Sequence, residues 1–462
     1  MRKIYFNVLA LALIALVCLC VWHPSFYTQT LRFLSLQDPS VRLSLVGCLL
    51  LGLNCGALGS IMVVRRISLI GDSISHAVLP GVVLGFLFAQ GRNPFYLLIG
   101  ALIASTLSAC CIHLLKTTTI LKEDSVLGLV LSGFYALGIC LLTMVQHIDL
   151  PGKAGLHLFL LGQASALGAK DVVAIAWVSA LVLSTLALFY KEWLVSSFDS
   201  VFASTSGIAS QSFHYILMLL LSLTIVTALQ ATGAVLVTAL LILPAASAFL
   251  LTNRLHWMLL LAMLFGATSA VLGLFISFLG PKLPTGPIIV SVGGALFGCI
   301  FLFSPTQGVC IRYVQHRAQA KRIQLENTLK HIYKLLEKEG FTQSHFSLEA
   351  VAEQLRLSAK VVAVSLGLLQ KKGLVLQEAA GFELSTLGLE EAKRILQNHR
   401  LWELYLTHYA AYAADHVHED AEKIEHILSP DMVQTLNQHL DYPLKDPHGK
   451  AIPRAHEASP LS

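Results

Sequence analysis

Two things are scarce or missing in this chain of 462 residues. Charge is scarce: 13% of residues are Asp, Glu, Lys or Arg, while 55% are hydrophobic, far from the roughly one quarter charged of an ordinary soluble protein. No G-x-x-x-x-G-K-[ST] motif occurs, so the chain lacks a phosphate-cradling P-loop and binds no nucleotide that way. Any nucleotide-driven work falls to a partner. The nine cysteines all lie at or before Cys310, without C-x-x-C spacing, and read as small apolar fillers. Beyond Cys310 there is neither a disulfide nor a thiolate zinc site, which suits a reducing, cytoplasmic compartment. The start, MRKIYFNVLALALIALVCLCVW, has no small-x-small cleavage site, so it reads as an uncleaved first span rather than a signal peptide.

The scarcity of charge is local. Through Ser304 there are 14 Lys/Arg and 8 Asp/Glu; after it there are 18 and 19. A bilayer-embedded domain over 1–304 and a charged, near-neutral soluble part follow. A span needs about 20 apolar residues, and ten stretches qualify by hydropathy: 5–22, 42–63, 72–90, 95–115, 124–146, 171–190, 212–230, 232–252, 256–279 and 286–304. The weaker ones, if re-entrant, bring the number to eight or nine. Basic residues in short loops divide eight to six between the two sides, and the run RYVQHRAQAKR after the last span tips both termini to the cytoplasm.

Residues 305–323 read as a basic linker open to proteolytic release. From about Gln324 the pattern becomes short amphipathic helices. LENTLKHIYKLLEKEG repeats apolar residues at helical spacing and stops at Gly340. SLEAVAEQLRLSAKVVAVSLGLLQKKG gives two helices about a turn, and LVLQEAAGFELST gives two strands turning at Ala380-Gly381. The fold class is therefore mainly α: a polytopic helical membrane domain, a winged helix over 324–386, a helical metal-binding and dimerisation domain over 387–453, and a tail at 454–462.

Within the apolar part, GDSISHAVLPG (71–81) stands out, because an ionisable side chain inside a span costs a few kcal/mol or more and points to function. Asp72 and His76, at i and i+4, share one helical face, and carboxylate plus imidazole suits a divalent transition metal. Pro80 and Gly81 predict a break in the helix. On the residues alone a second account stands equally: Asp72 caps a helix starting at Ser73 and pairs with Arg65 or Arg66.

A resemblance decides between them. RRISLIGDSISHAVLPGVVLGFL looks like the signature of the zinc/manganese/iron family of ABC-transporter permeases. Residues 124–142, 189–208 and 231–254 extend the likeness over most of 40–304. It implies a transport-path metal site at Asp72 and His76, an ABC ATPase subunit, a periplasmic metal-binding protein, and a second permease or a second copy of this chain. It places the chain in a bacterial cytoplasmic membrane. The stretch from Pro244 to Arg254 is the candidate for docking the ATPase.

Eleven of the eighteen histidines lie past residue 305. His399 and Glu403, and His418 and Glu422, are i, i+4 pairs; Glu425 and His426 follow, while His416 sits off that face and His408 reads as surface. Ligands without sulfur favour Mn2+ or Fe2+ and accommodate Zn2+; the same spacing also serves a solvated face of ion pairs. The segment from Gln324 to Pro453 resembles the diphtheria-toxin-repressor family of metal-dependent transcription factors, most sharply in HVHEDAEKIEHILSP and DPHGKAIP. That resemblance implies one site of His399, Glu403 and His418 and another of Glu422, Glu425 and His426, with glutamate at 422 as in manganese sensors. It also implies operator DNA bound as a dimer. Two departures stand out: Asn327 and Lys330 fill positions where acidic or methionine ligands are expected, and only Asn327 retains a coordinating oxygen.

In the recognition helix, Ser358, Lys360, Ser365 and Gln370 are the polar candidates for DNA, with Lys371 and Lys372 placed for phosphates. Together these features describe a permease for divalent metal fused to a metal-dependent repressor. The alternative is a permease whose last domain senses metal and inhibits transport without binding DNA.

Overall fold

The computed structural model describes residues 26–91, 93–148, 167–280, 283–342, 344–378, 381–409, 422, 424–426 and 428–453. The expected first span therefore lies outside the described residues. The chain divides into two compact units, Met1–Ile311 and Arg312–Ser462.

The first unit is helical throughout its described residues. After a short helix α1 (Phe26–Ser35) come α2 (Pro39–Val64), α3 (Ser68–Ala89), α4 (Pro94–Thr118), α5 (Glu123–Gln146) and α6 (Ala169–Leu188). Two short helices, α7 (Tyr190–Phe198) and α8 (Ser200–Thr205), lead to α9 (Ser210–Thr232), α10 (Ala234–Phe249), α11 (Leu255–Leu279) and α12 (Thr285–Phe303). Eight of these are long and apolar enough to cross a bilayer, and α10 is a shorter apolar helix that contains Pro244. The nine stretches expected between 42 and 304 each find a helix.

Lipid offers no hydrophobic drive between apolar helices, so close packing at small residues takes its place. A Cβ on Gly52 would lie 2.4 Å from the carbonyl oxygen of Gly266, and one on Gly56 2.2 Å from that of Ala262, so α2 and α11 meet backbone to backbone. Gly81 and Gly100 do the same for α3 and α4, the hypothetical Cβ of Gly81 falling 2.1 Å from Gly100 oxygen. This corrects the expected break: α3 runs unbroken from Ser68 to Ala89 through Pro80. Gly81 is a packing residue.

The second unit contains a winged helix. Helix α13 spans Val309–Lys338, all but its first three residues in this unit, so most of the expected 305–323 linker is helical, with residues 312–322 exposed. Strand β1 (His345–Phe346) precedes α14 (Leu348–Leu355) and α15 (Ala359–Lys371), and strands β2 (Val375–Glu378) and β3 (Gly381–Leu384) form the wing. The sheet has three strands in the order β1-β3-β2, one more than expected. Ser347 caps α14 by accepting from the Ala350 amide. The core joins Leu329, Ile332 and Leu336 of α13 to Val362, Leu366 and Leu369 of α15. Helices α16 (Thr386–Tyr409) and α17 (Pro430–His439) follow among the described residues.

Candidate functional site

Asp72 lies in the second turn of α3, whose N-cap is Ile67, so it is not the cap of a helix starting at Ser73. Arg65 is likewise engaged elsewhere. Its guanidinium donates to Ser196 and Ser197 and lies over the Trp193 ring at 5.5 Å. Asp72 and His76 therefore face each other: Oδ1 and Nε2 are 3.6 Å apart, beyond a good hydrogen bond, with side chains 41% and 19% exposed. The imidazole is set edge-on against the Tyr135 ring of α5, 5.2 Å between centroids. Its Nδ1 is buried with no hydrogen-bond partner among the described residues. The nitrogen that faces Asp72 is Nε2, so the unpartnered Nδ1 is the other nitrogen of the ring, and a buried polar atom of that kind calls for an explanation. Ser75 does not join them, since its hydroxyl donates to the Asp72 carbonyl.

In the second unit, α13 and α16 present their polar faces to the segment around Glu422–His426. His399 and Glu403 are buried one turn apart, Nε2 to Oε1 3.2 Å. Glu425 joins the two expected sites: Oε2 is 2.5 Å from His399 Nδ1, and Oε1 is 3.3 Å from His426 Nε2. The Lys330 ammonium donates to Glu425 at 2.7 Å and to Glu422 at 3.4 Å. His426 also meets Glu326 at 2.6 Å and the Asn327 side-chain oxygen at 3.1 Å. His418 and His416 lie outside the described residues, and His408 is exposed as expected.

The electrostatics follow from this packing. Burial alone would raise the Glu425 pKa, but His399 and the Lys330 ammonium outweigh it and hold the carboxyl below its usual value. Lys334, one turn along α13, is pushed down to about 8 by burial and by the Lys330 charge.

Sequence reasoning missed three residues here. Glu326 takes His426, while Asp446 and His448, from the DPHGKAIP segment, lie by Glu403. The three ligand atoms of Glu403, Asp446 and His448 sit within 4.8 Å of one another. Asp446 is placed by its own turn, accepting from the His448 and Lys450 amides. The turn is pinned to α16 because Arg400 donates to the Ala451 carbonyl while gripping Glu337 of α13 in a bidentate pair at 2.9 and 2.6 Å. The signal for Glu326 was its helical spacing, four residues before Lys330 on α13. A second cluster, His345, Glu378 and Glu383, takes one residue from each strand of the sheet; Glu378 is exposed and the other two are half-buried.

On the recognition helix α15, Ser358, Lys360, Gln370, Lys371 and Lys372 are exposed. Ser365 is not. It is 2% exposed, accepts from Gln324 and donates to the Val361 carbonyl, so it faces the domain core and cannot read a base. Val361, Val364 and Leu368 hold the outer face instead, Val364 being 65% exposed.

The ABC 3 transport family matches residues 37–304. The chain belongs to this family. In this ABC 3 permease, residues 385–454 match a second description, the iron dependent repressor metal binding and dimerisation domain. A manganese transport system membrane protein, MntC of Bacillus subtilis, is 32% identical over 428 residues, covering 92% of this chain and 96% of that protein. The zinc transport system membrane protein TroC of Treponema pallidum is 36% identical over 281 residues, 61% of this chain and 94% of its own. The solved PsaBC from Streptococcus pneumoniae in complex with Fab is similar at 35% identity and TM-score 0.55. That alignment covers 62% of this permease and 99% of the solved chain.

Proposed function

We propose that this ABC 3 permease carries a divalent metal cation across a bacterial cytoplasmic membrane and reports on it through its own C-terminal domain. The observation that carries the reading is the Asp72–His76 pair in an apolar helix, facing at 3.6 Å, beyond a good hydrogen bond, with the His76 Nδ1 buried and without a hydrogen-bond partner among the described residues. An ion site of this kind has to hold cargo and let it go again. Mn2+ or Fe2+ fits the nitrogen and oxygen donors best, and Zn2+ is accommodated. The manganese and zinc transport named for MntC and TroC supports that range.

Transport needs an ATPase subunit, a periplasmic metal-binding protein, and a second permease or second copy of the chain. On the cytoplasmic side, His399, Glu403, Asp446 and His448, with His418, would hold a regulatory ion and couple it to dimerisation on operator DNA. The domains are then a permease to about residue 304, a winged helix over 324–386 and a metal-binding module over 387–453. Release of the reader by proteolysis would require the exposed first turns of α13 to unwind.

The apolar outer face of α15, with Ser365 turned inward, favours a second reading, in which the domain inhibits transport and never reads bases. Metal-dependent retention of promoter DNA by the full chain separates the two. The transport reading is tested by metal uptake into proteoliposomes containing the chain and its ATPase. Asp72→Ala or His76→Ala should cut uptake by at least about tenfold, the lower end of the roughly 10–100-fold that losing even an outer-shell partner of a metal site costs. Undiminished uptake in both variants removes the site.

A further inference from the structure

We propose that Lys330 is a tethered cation: its ammonium occupies the place, and supplies part of the charge, that a second divalent ion would take between Glu422 and Glu425. The inference rests on the metal-regulator reading of the C-terminal unit.

Three carboxylates, from Glu326, Glu422 and Glu425, converge there with the imidazoles of His399 and His426. Glu326 is paired with Arg322 at 2.6 Å and Glu422 is 40% exposed, but Glu425 is fully buried, and without a cation its carboxylate would be left with imidazoles alone to compensate it, which is costly. The Lys330 side chain is fully buried, and its Nζ reaches both Glu425 and Glu422. Oxygen ligands stand about 2.0–2.2 Å from an ion such as zinc, so an ion shared by Glu422 and Glu425 would have to stand where Nζ stands. Two cations that close repel strongly in a low-dielectric interior. Asn327 adds no charge, and its side-chain oxygen is directed at His426. The donor set around Lys330 therefore does not fit a second divalent ion. Beyond His399, the ligand atoms of Glu403, Asp446 and His448 lie within 4.8 Å of one another, with the Arg400 guanidinium 3.5 Å from the Asp446 carboxylate at the edge of the cluster, and this is where a single exchangeable ion would find ligands.

The consequence concerns regulation. A cation on the chain cannot dissociate, so the link between α13 and the Glu422–His426 segment stays assembled at every metal concentration. Metal responsiveness is left to the Glu403 side alone.

The test uses the full chain in lipid nanodiscs, with bound Mn2+ counted by elemental analysis. Protease cleavage of the C-terminal unit is followed in parallel, with and without EDTA, using a C-terminal antibody. Wild type should resist cleavage equally with and without EDTA. Lys330→Glu should gain one more Mn2+ per chain. Lys330→Gln should be cleaved roughly a hundredfold faster than wild type in EDTA and regain resistance with Mn2+. Lys330→Arg should stay resistant without metal. The proposal is overturned if wild type becomes labile in EDTA, if Lys330→Glu folds and gains no ion, or if Lys330→Gln is as resistant as wild type. A Glu403→Ala arm separates the two layers: if it removes no Mn2+ from wild type, the regulator reading fails. If it removes one while Lys330→Glu gains none, only the tethered cation fails.

Discussion

The two halves of this permease hold their histidines and carboxylates in opposite ways. Asp72 and His76 stand nearly alone on α3, with a buried nitrogen lacking a hydrogen-bond partner among the described residues. The network of the C-terminal unit is crowded: Glu425 alone contacts His399, His426 and Lys330. An under-satisfied pair is suited to transit, because little has to be broken when an ion enters or leaves. A network closed by its own ammonium is suited to holding a fold in register.

That contrast can be broken at three strengths. The strongest change is Glu425→Ala, which strands Lys330 in the interior with only the part-exposed Glu422 beside it. It should destabilise the C-terminal unit by about 3–5 kcal/mol, read as accelerated proteolysis of that unit with no loss of the membrane-embedded helices. A variant as resistant as wild type would mean that the network does not hold the fold. Of intermediate size, Gly81→Ala places a methyl against the Gly100 carbonyl and should cost about 1–3 kcal/mol, measured as a lowered melting temperature of the permease in detergent. An unchanged melting temperature would return Pro80-Gly81 to the role of a loose hinge. The smallest is Val364→Lys on the exposed face of α15. It should change stability by no more than about 0.5 kcal/mol, while raising DNA retention in a salt-dependent way. No gain in retention would favour the reading in which this helix never meets DNA.

Much of this was legible in the sequence, for identifiable reasons. The helices between 39 and 303 follow from hydropathy, because bilayer thickness sets their length directly. The winged helix followed from periodicity and turn residues. Other features depended on partners distant in the chain. Gly81 read as a helix breaker because the carbonyl it makes room for belongs to Gly100, on the next helix. Ser365 read as a DNA contact because its inward direction is fixed by packing on α13, through Gln324. Lys330 was visible as a misfit among metal ligands, yet its partners Glu422 and Glu425 are 92 and 95 residues away. Asp446 and His448 carried a family likeness, but their approach to Glu403 depends on the Arg400 clamp.

The most direct test of the two-centre account is equilibrium Mn2+ binding to the full chain in nanodiscs, compared across wild type, Asp72→Ala and Glu403→Ala. The account predicts two separable sites: the weaker, readily exchanged one lost in Asp72→Ala, and the tighter one lost in Glu403→Ala. A single substitution that abolishes all binding, or two substitutions that abolish none, would contradict it.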